Sequence, residues 1–158
     1  YQDLGIQEPA WLSPASIIRE MRVPEGLTLD LALEEIVIFA DPMLEKVFHN
    51  LLDNSIRHGE TVSHIRVSGA KASGGYVIAW EDNGIGIRDD EKETIFKRGH
   101  GKNTGLGLFL AREILALTGI TITETGTEGK GARFEIMIPN WFYSDADGTG
   151  TDTGTKLH

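Results

Sequence analysis

A chain of 158 residues, 40% apolar and 25% charged, is long enough for one domain with a real core and too apolar to be disordered throughout. Its 24 acidic and 15 basic residues give a net charge of −9, which argues against a general binder of nucleic acid or of anionic membranes but allows local basic spots. Cysteine is absent, which excludes disulfides and thiolate chemistry and fits a reducing compartment, and no apolar run approaches the roughly 20 residues that cross a bilayer. The chain opens on Tyr1 without a signal-peptide pattern, as expected of a cytoplasmic piece of something longer.

Residues up to Pro9 are polar and weakly patterned, and Trp11 and Leu12 anchor the domain edge. Ser13-Pro14 is a helix start, with Ser as cap and Pro at the first helical position. Ile17, Ile18 and Met21 form its apolar face, and Pro24 stops it. Alternation at Leu27, Leu29 and Leu31, and again around Ile36 and Ile38, predicts two strands, read as a paired hairpin. Asp41-Pro42 opens the longest helix, with Leu44, Val47, Phe48, Leu51, Leu52 and Ser55 as its buried stripe and Gly59 as its end.

Ile65 to Val67 and Tyr76 to Trp80 read as strands joined by the Ser73-Gly74-Gly75 turn, and the second delivers Asp82 at its end. Asp89 to Ile95 is a short acidic helix or turn. A helix then runs from Thr104 or Gly105 to about Leu117, with Leu108, Ala111, Ile114 and Leu115 inward. Strands near Ile120 to Ile122 and from Arg133 to Ile138 follow, the second ended by Pro139. Beyond Trp141 the composition turns to Asp, Gly and Thr, so residues 142–158 are expected to form a flexible tail. The class is α+β: a two-layer sandwich, its mixed, mostly antiparallel sheet covered on one face by about three helices.

Two glycine-rich turns carry the chemistry. Asp82-Asn83-Gly84-Ile85-Gly86-Ile87 follows a strand, and Gly105-Leu106-Gly107-Leu108 opens a helix. Glycine lets backbone N–H groups approach a ligand that a Cβ would block, and a helix opening suits phosphate. A carboxylate is badly placed beside phosphate, so Asp82 is assigned to the other end of a nucleotide, accepting a hydrogen bond from the amino group of adenine. Asn50 and Asn54 lie four apart on one face of the long helix, with Arg57 and His58 a turn further on. An amide oxygen is a reasonable Mg²⁺ ligand where phosphates and water supply the rest.

With these residues in order, the sequence resembles the catalytic, ATP-binding domain of sensor histidine kinases, in the superfamily that also holds gyrase, heat-shock chaperone and mismatch-repair ATPases. Asn50-Leu51-Leu52-Asp53-Asn54-Ser55 matches the N box, and Asp82 to Gly86 the first glycine box. Ile95-Phe96 matches the phenylalanine box, and Gly105 to Leu108 the second glycine box. Gly129-Lys130-Gly131-Ala132-Arg133-Phe134, with Ile138-Pro139, matches the closing strand. The likeness runs from about Leu12 to Pro139.

The resemblance implies the Bergerat fold, with ATP and Mg²⁺ between the helices and a flexible lid. It implies that Asn54 binds the metal, that Asn50 lies beside the phosphates, that Arg57 neutralises them and that His58 sits near the adenosine. Asp82 would hold the adenine, with Gly84, Ile85, Gly86 and Ile87 shaping that pocket. The lid would span Lys97 to Thr104, with Gly101, Lys102 and Thr104 around the phosphates, and Gly105, Leu106, Gly107 and Leu108 would close the site. Ala132 departs from the pattern, because many relatives carry Thr there.

Asn50 also bears on the reaction class. Hydrolysing relatives place Glu one turn before the Mg²⁺-binding Asn, and an amide cannot take a proton from water. Glu45 is close in sequence, but its helical phase points it elsewhere. The kinase is therefore favoured over an ATPase and over a nucleotide-binding regulatory module without kinase activity. None of His49, His58, His64, His100 and His158 sits in an upstream helix resembling the phosphoacceptor hairpin, so the acceptor is expected outside this chain. On that reading residues 1–10 are a linker from a phosphoacceptor and dimerisation region, and 11–141 the catalytic domain. The partners are ATP, an acceptor histidine on the same or a paired protein, and a response regulator downstream. Neither nucleic acid nor direct membrane contact is expected, and the fragment is expected to be monomeric.

Overall fold

A computed structural model describes residues 7–58, 61–99 and 107–145. Chain order is β1 (Ala10–Leu12), α1 (Pro14–Arg19), β2 (Thr28–Ala32), β3 (Ile36–Ala40), α2 (Leu44–His58), β4 (His64–Ala72) and β5 (Gly75–Asp82). It continues with α3 (Gly107–Ala116), β6 (Thr121–Glu124), β7 (Arg133–Pro139) and β8 (Tyr143–Asp145). Short 3₁₀ turns lie at Asp89–Glu91, Thr94–Phe96 and Asn140–Phe142. No helix among the described residues is long and apolar enough to cross a membrane.

The main sheet has five strands in the order β2-β4-β5-β7-β6, with β2 parallel to β4 and every other pair antiparallel. Two-residue periodicity sorts its faces. Ile65, Val67, Tyr76, Ile78, Trp80, Ile122, Phe134, Ile136 and Ile138 are buried and join one core with the apolar residues of α2 and α3. Phe48 of α2 stacks on Trp80 at 6.4 Å, and Phe96 meets Phe134 edge-on at 6.1 Å. Such aromatic pairs add about 0.5–1.5 kcal/mol beyond area burial. The other face carries two ion pairs that cross strands, Arg66 with Asp30 at 2.8 Å and Arg133 with Glu81, and one along β7, Arg133 with Glu135 at 2.9 Å. A charged outer face is what an antiparallel sheet covered on one side requires.

Four expectations need correction. First, β2 and β3 are not a hairpin: β2 pairs with β4, while β3 lies between β1 and β8 in a separate three-stranded sheet. The link Leu33-Glu34-Glu35 has no glycine or asparagine for a tight turn, and Leu33 is buried in the core. Second, and for the same reason, the strands form two sheets, β1-β3-β8 beside the five-stranded one, while the α+β class stands. Third, the regular part of α2 begins at Leu44, two residues beyond Pro42, because Asp41 closes a preliminary turn by accepting the Met43 N–H at 2.8 Å. Fourth, the ordered chain does not stop at Trp141. Tyr143 is buried, packs on Tyr76 at 5.1 Å and pairs with Ile38, and Phe142 beside it stacks on Phe39 at 5.7 Å, so the start of the polar segment is anchored by two aromatic rings.

Candidate nucleotide-binding site

Strand β5 ends on an inward-facing carboxylate. Trp80 and Asp82 are two residues apart and share the buried face, so Asp82 arrives under α2 at 8% exposure. Three donors hold it. Ser55 Oγ donates to Oδ2 at 2.8 Å, and the N–H groups of Gly84 and Ala132 donate to Oδ1 at 2.9 and 3.1 Å. Ser55, itself fully buried on α2, receives the Trp80 indole N–H at 3.2 Å. A carboxylate has about four acceptor directions, so among the described residues this one keeps one open, on Oδ2.

The turn after Asp82 is shaped by close backbone contact. Gly86 has φ +79°, and a Cβ there would lie 2.7 Å from the Thr127 carbonyl oxygen. The Gly129 N–H reaches the Ile85 carbonyl at 2.7 Å. Gly84 is buried, Ile87 is half-buried, and Ile85 is exposed. Asn83 ties the far side by accepting the N–H groups of Ser63 and His64 at 2.9 and 3.1 Å. Its links explain how the α2–β4 connection is held against the Asp82 turn.

At the other end, the Asn50 amide donates to the Gly107 carbonyl at 2.9 Å, fixing α2 against the start of α3. The side chain of Asn54, half-buried one turn on, has no hydrogen-bond partner among the described residues. Among the described residues no group of three or more acidic, histidine or cysteine side chains gathers to hold a metal. The Asn54 amide oxygen has the chemistry of a single protein ligand to an ion that phosphate and water otherwise hold. Arg57 pairs with Asp53 at 2.9 Å in an exposed i,i+4 contact. Pairs of that kind are worth about 0.3–0.5 kcal/mol, so the guanidinium is not committed to it.

Leu108 is buried, Lys97 is exposed, and His58 closes α2. Gly101, Lys102, Thr104, Gly105 and Leu106 lie outside the described residues, as do Gly59 and His100. An open cleft of about 330 Å³ beside α2 is lined by His49, Asn50, Leu52, Asp53 and Ile56. At 3.6 residues per turn this flank is rotated by about a third of a turn from Ser55, so the cleft is not the space before Asp82.

Two holders of Asp82 escaped the sequence reading. Ser55 was legible only as a member of the buried stripe, though a hydroxyl in an apolar stripe must find a partner. Ala132 acts through its N–H, which no side-chain pattern reveals.

The family model described as "Histidine kinase-, DNA gyrase B-, and HSP90-like ATPase" matches residues 40–141. The alginate biosynthesis sensor protein KinB of Pseudomonas aeruginosa is 37% identical over 101 residues, covering 61% of this chain and 17% of that protein. Sensor protein KdpD of Escherichia coli (strain K12) is 30% identical over 144 residues, 86% of this chain and 15% of that protein. The chain thus spans about a sixth of the length of these curated relatives. The crystal structure of the ATP binding domain of PrrB from Mycobacterium tuberculosis superposes with a TM-score of 0.68 at 22% identity, covering 85% of this chain and 98% of that one. At that identity the likeness is one of fold.

Proposed function

Since this chain belongs to the histidine kinase-, DNA gyrase B- and HSP90-like ATPase family, we propose that it is the ATP-binding catalytic part of a sensor histidine kinase, passing the γ-phosphoryl group to a histidine outside residues 1–158. The observation that carries the nucleotide reading is the buried Asp82 carboxylate, held by Ser55, Gly84 and Ala132 with one acceptor direction left. An exocyclic amine is the complement of that acceptor. Across the site, Asn50 and Asn54 share a face of α2 beside the start of α3, where phosphates would lie.

Each group has a physical task. Asp82 orients the base, and the Gly84–Ile87 turn walls it. Arg57 exchanges its weak surface pair with Asp53 for the more highly charged phosphates. Magnesium, when bound, offsets triphosphate charge, and the Asn54 amide oxygen is the group that would hold it. Basic residues of the expected lid, Lys97 and Lys102, would exclude water as it closes. Phosphoryl transfer needs positioning and charge compensation more than a strong base, because the acceptor imidazole is itself the nucleophile.

Asn50 favours transfer over hydrolysis. Its amide is occupied with the Gly107 carbonyl, and Glu45 reaches back toward His49 at 3.7 Å on an exposed flank. Neither is a base for water in the site. The test is titration with ATP with and without Mg²⁺, for the parent chain and Asn54→Ala. Magnesium should tighten ATP binding to the parent by about tenfold and leave the variant unaffected. Equal tightening in both removes Asn54 as the metal ligand. Phosphate release by the chain alone should stay at the level of buffer, while an added phosphoacceptor hairpin becomes labelled on histidine. Steady phosphate release without transfer would reverse the assignment to an ATPase.

A further inference from the structure

Strand β6 ends on a second buried carboxylate. Alternation puts Glu124 on the same inward face as Ile122, and its side chain is wholly shielded from solvent. Oε1 takes the Lys92 ammonium, and Oε2 accepts the N–H groups of Gly126 and Arg133 at 3.1 and 2.9 Å. Lys92 also donates to the carbonyls of Ile87 and Gly126, at 3.2 and 3.0 Å. A buried ion pair is costly unless its remaining donors and acceptors are matched; here Lys92 has an acceptor for each of its three ammonium donors, and Glu124 takes two backbone N–H groups besides the ammonium.

The position of this network matters more than its strength. Arg133 follows Ala132, so successive amides at the entry to β7 are fixed by two carboxylates from different strands, Glu124 and Asp82. Lys92 meanwhile grips the Asp82 turn at the Ile87 carbonyl, and the 125–131 loop grips it at Ile85. None of these contacts touches the space before Asp82.

We infer that Lys92 and Glu124 are positioning residues that set the choice of adenine over guanine by fixing the direction of the open acceptor on Asp82. The inference rests on the reading of Asp82 given above. Guanine carries a carbonyl oxygen where adenine carries its amine, and a carboxylate repels it. That rejection is sharp only while the carboxylate cannot swing aside or admit a water. An apolar pair at these positions could fill the same volume, but it would leave the N–H groups of Gly126 and Arg133 without their acceptor.

The test measures the ratio of the dissociation constants for GTP and ATP by calorimetry. The proteins are the parent, Glu124→Gln, Lys92→Met, the double variant Lys92→Met/Glu124→Met, and Asp82→Ala, each with its thermal melt recorded. The ratio should fall at least about tenfold in both single variants and in the double. The double variant removes both charges together and leaves no buried charge unpaired, while Glu124→Gln keeps an amide oxygen for the N–H groups of Gly126 and Arg133. A folded double variant that keeps the parent's ratio, while Asp82→Ala collapses it, overturns the positioning role and leaves the Asp82 reading standing. If Asp82→Ala itself keeps the ratio, the Asp82 reading falls and the positioning role with it. A solely structural role would move the melt and not the ratio.

Discussion

Replacing Asp82 by alanine is expected to weaken ATP binding about 100-fold while leaving a folded domain. A hydrogen bond to a charged group contributes about 1.5–3 kcal/mol, or roughly 10- to 150-fold in affinity. The upper part of that range applies because the substitution does more than delete one acceptor. It also orphans the Ser55 hydroxyl and the N–H groups of Gly84 and Ala132, all directed at that carboxylate. The turn that walls the base then loses its anchor. Asp82→Asn should also lose at least about tenfold, because its NH₂ must face either a bound N–H or the amine of the base. Calorimetry with a non-hydrolysable ATP analogue, beside a melt to count folded protein, gives the answer. Affinity within threefold of the parent in folded Asp82→Ala would remove this carboxylate from base recognition.

Gly131→Ala should destabilise the domain by about 3 kcal/mol or more, through backbone rather than side-chain packing. Gly131 has φ +122°, and a Cβ there would sit 1.9 Å from the Asp82 carbonyl oxygen. Relief requires β7 to part from β5 at the pair that joins Asp82 N–H to the Ala132 carbonyl at 3.0 Å. Gly129 in the same loop is the control. Its φ is also positive, at +89°, but nothing lies within 4 Å of its would-be Cβ. Gly129→Ala should therefore cost only the conformational strain, about 1 kcal/mol. Urea unfolding of the two variants separates the causes, and equal losses would mean that close approach to β5 is not what position 131 demands.

The legible parts of this molecule are those written in local periodicity. The stripe from Leu44 to Ser55 is buried as a helix face, and the run from Tyr76 to Trp80 carries Asp82 to the strand end. The glycine-bounded turn after Asp82 is where its spacing put it. Pairing between distant segments was not legible. Thr28 opposite His64 and Ile36 opposite Asp145 are contacts for which adjacent residues hold no signal. Loop chemistry showed only that Leu33 to Glu35 lack a hairpin turn, not where each strand would go instead. The same limit hid the second tier of the site. Glu124 and Lys92 are ordinary surface residue types until the fold brings them together, and Ala132 contributes only backbone. Lys102, Thr104 and the second glycine box up to Leu106 lie outside the described residues, and their roles stand as proposals.

The indole of Trp80 has a use that its packing does not require. It is fully buried, and two hydrogen bonds, through Ser55, connect it to Asp82. Trp11 and Trp141 are about half exposed, so their fluorescence lies to the red of an indole sealed in the core. A ligand that takes the open side of Asp82 changes the pull on the Ser55 hydroxyl and hence the polarity that Trp80 senses in its excited state. The domain therefore contains its own optical gauge of occupancy, readable at the blue edge of its emission without any dye.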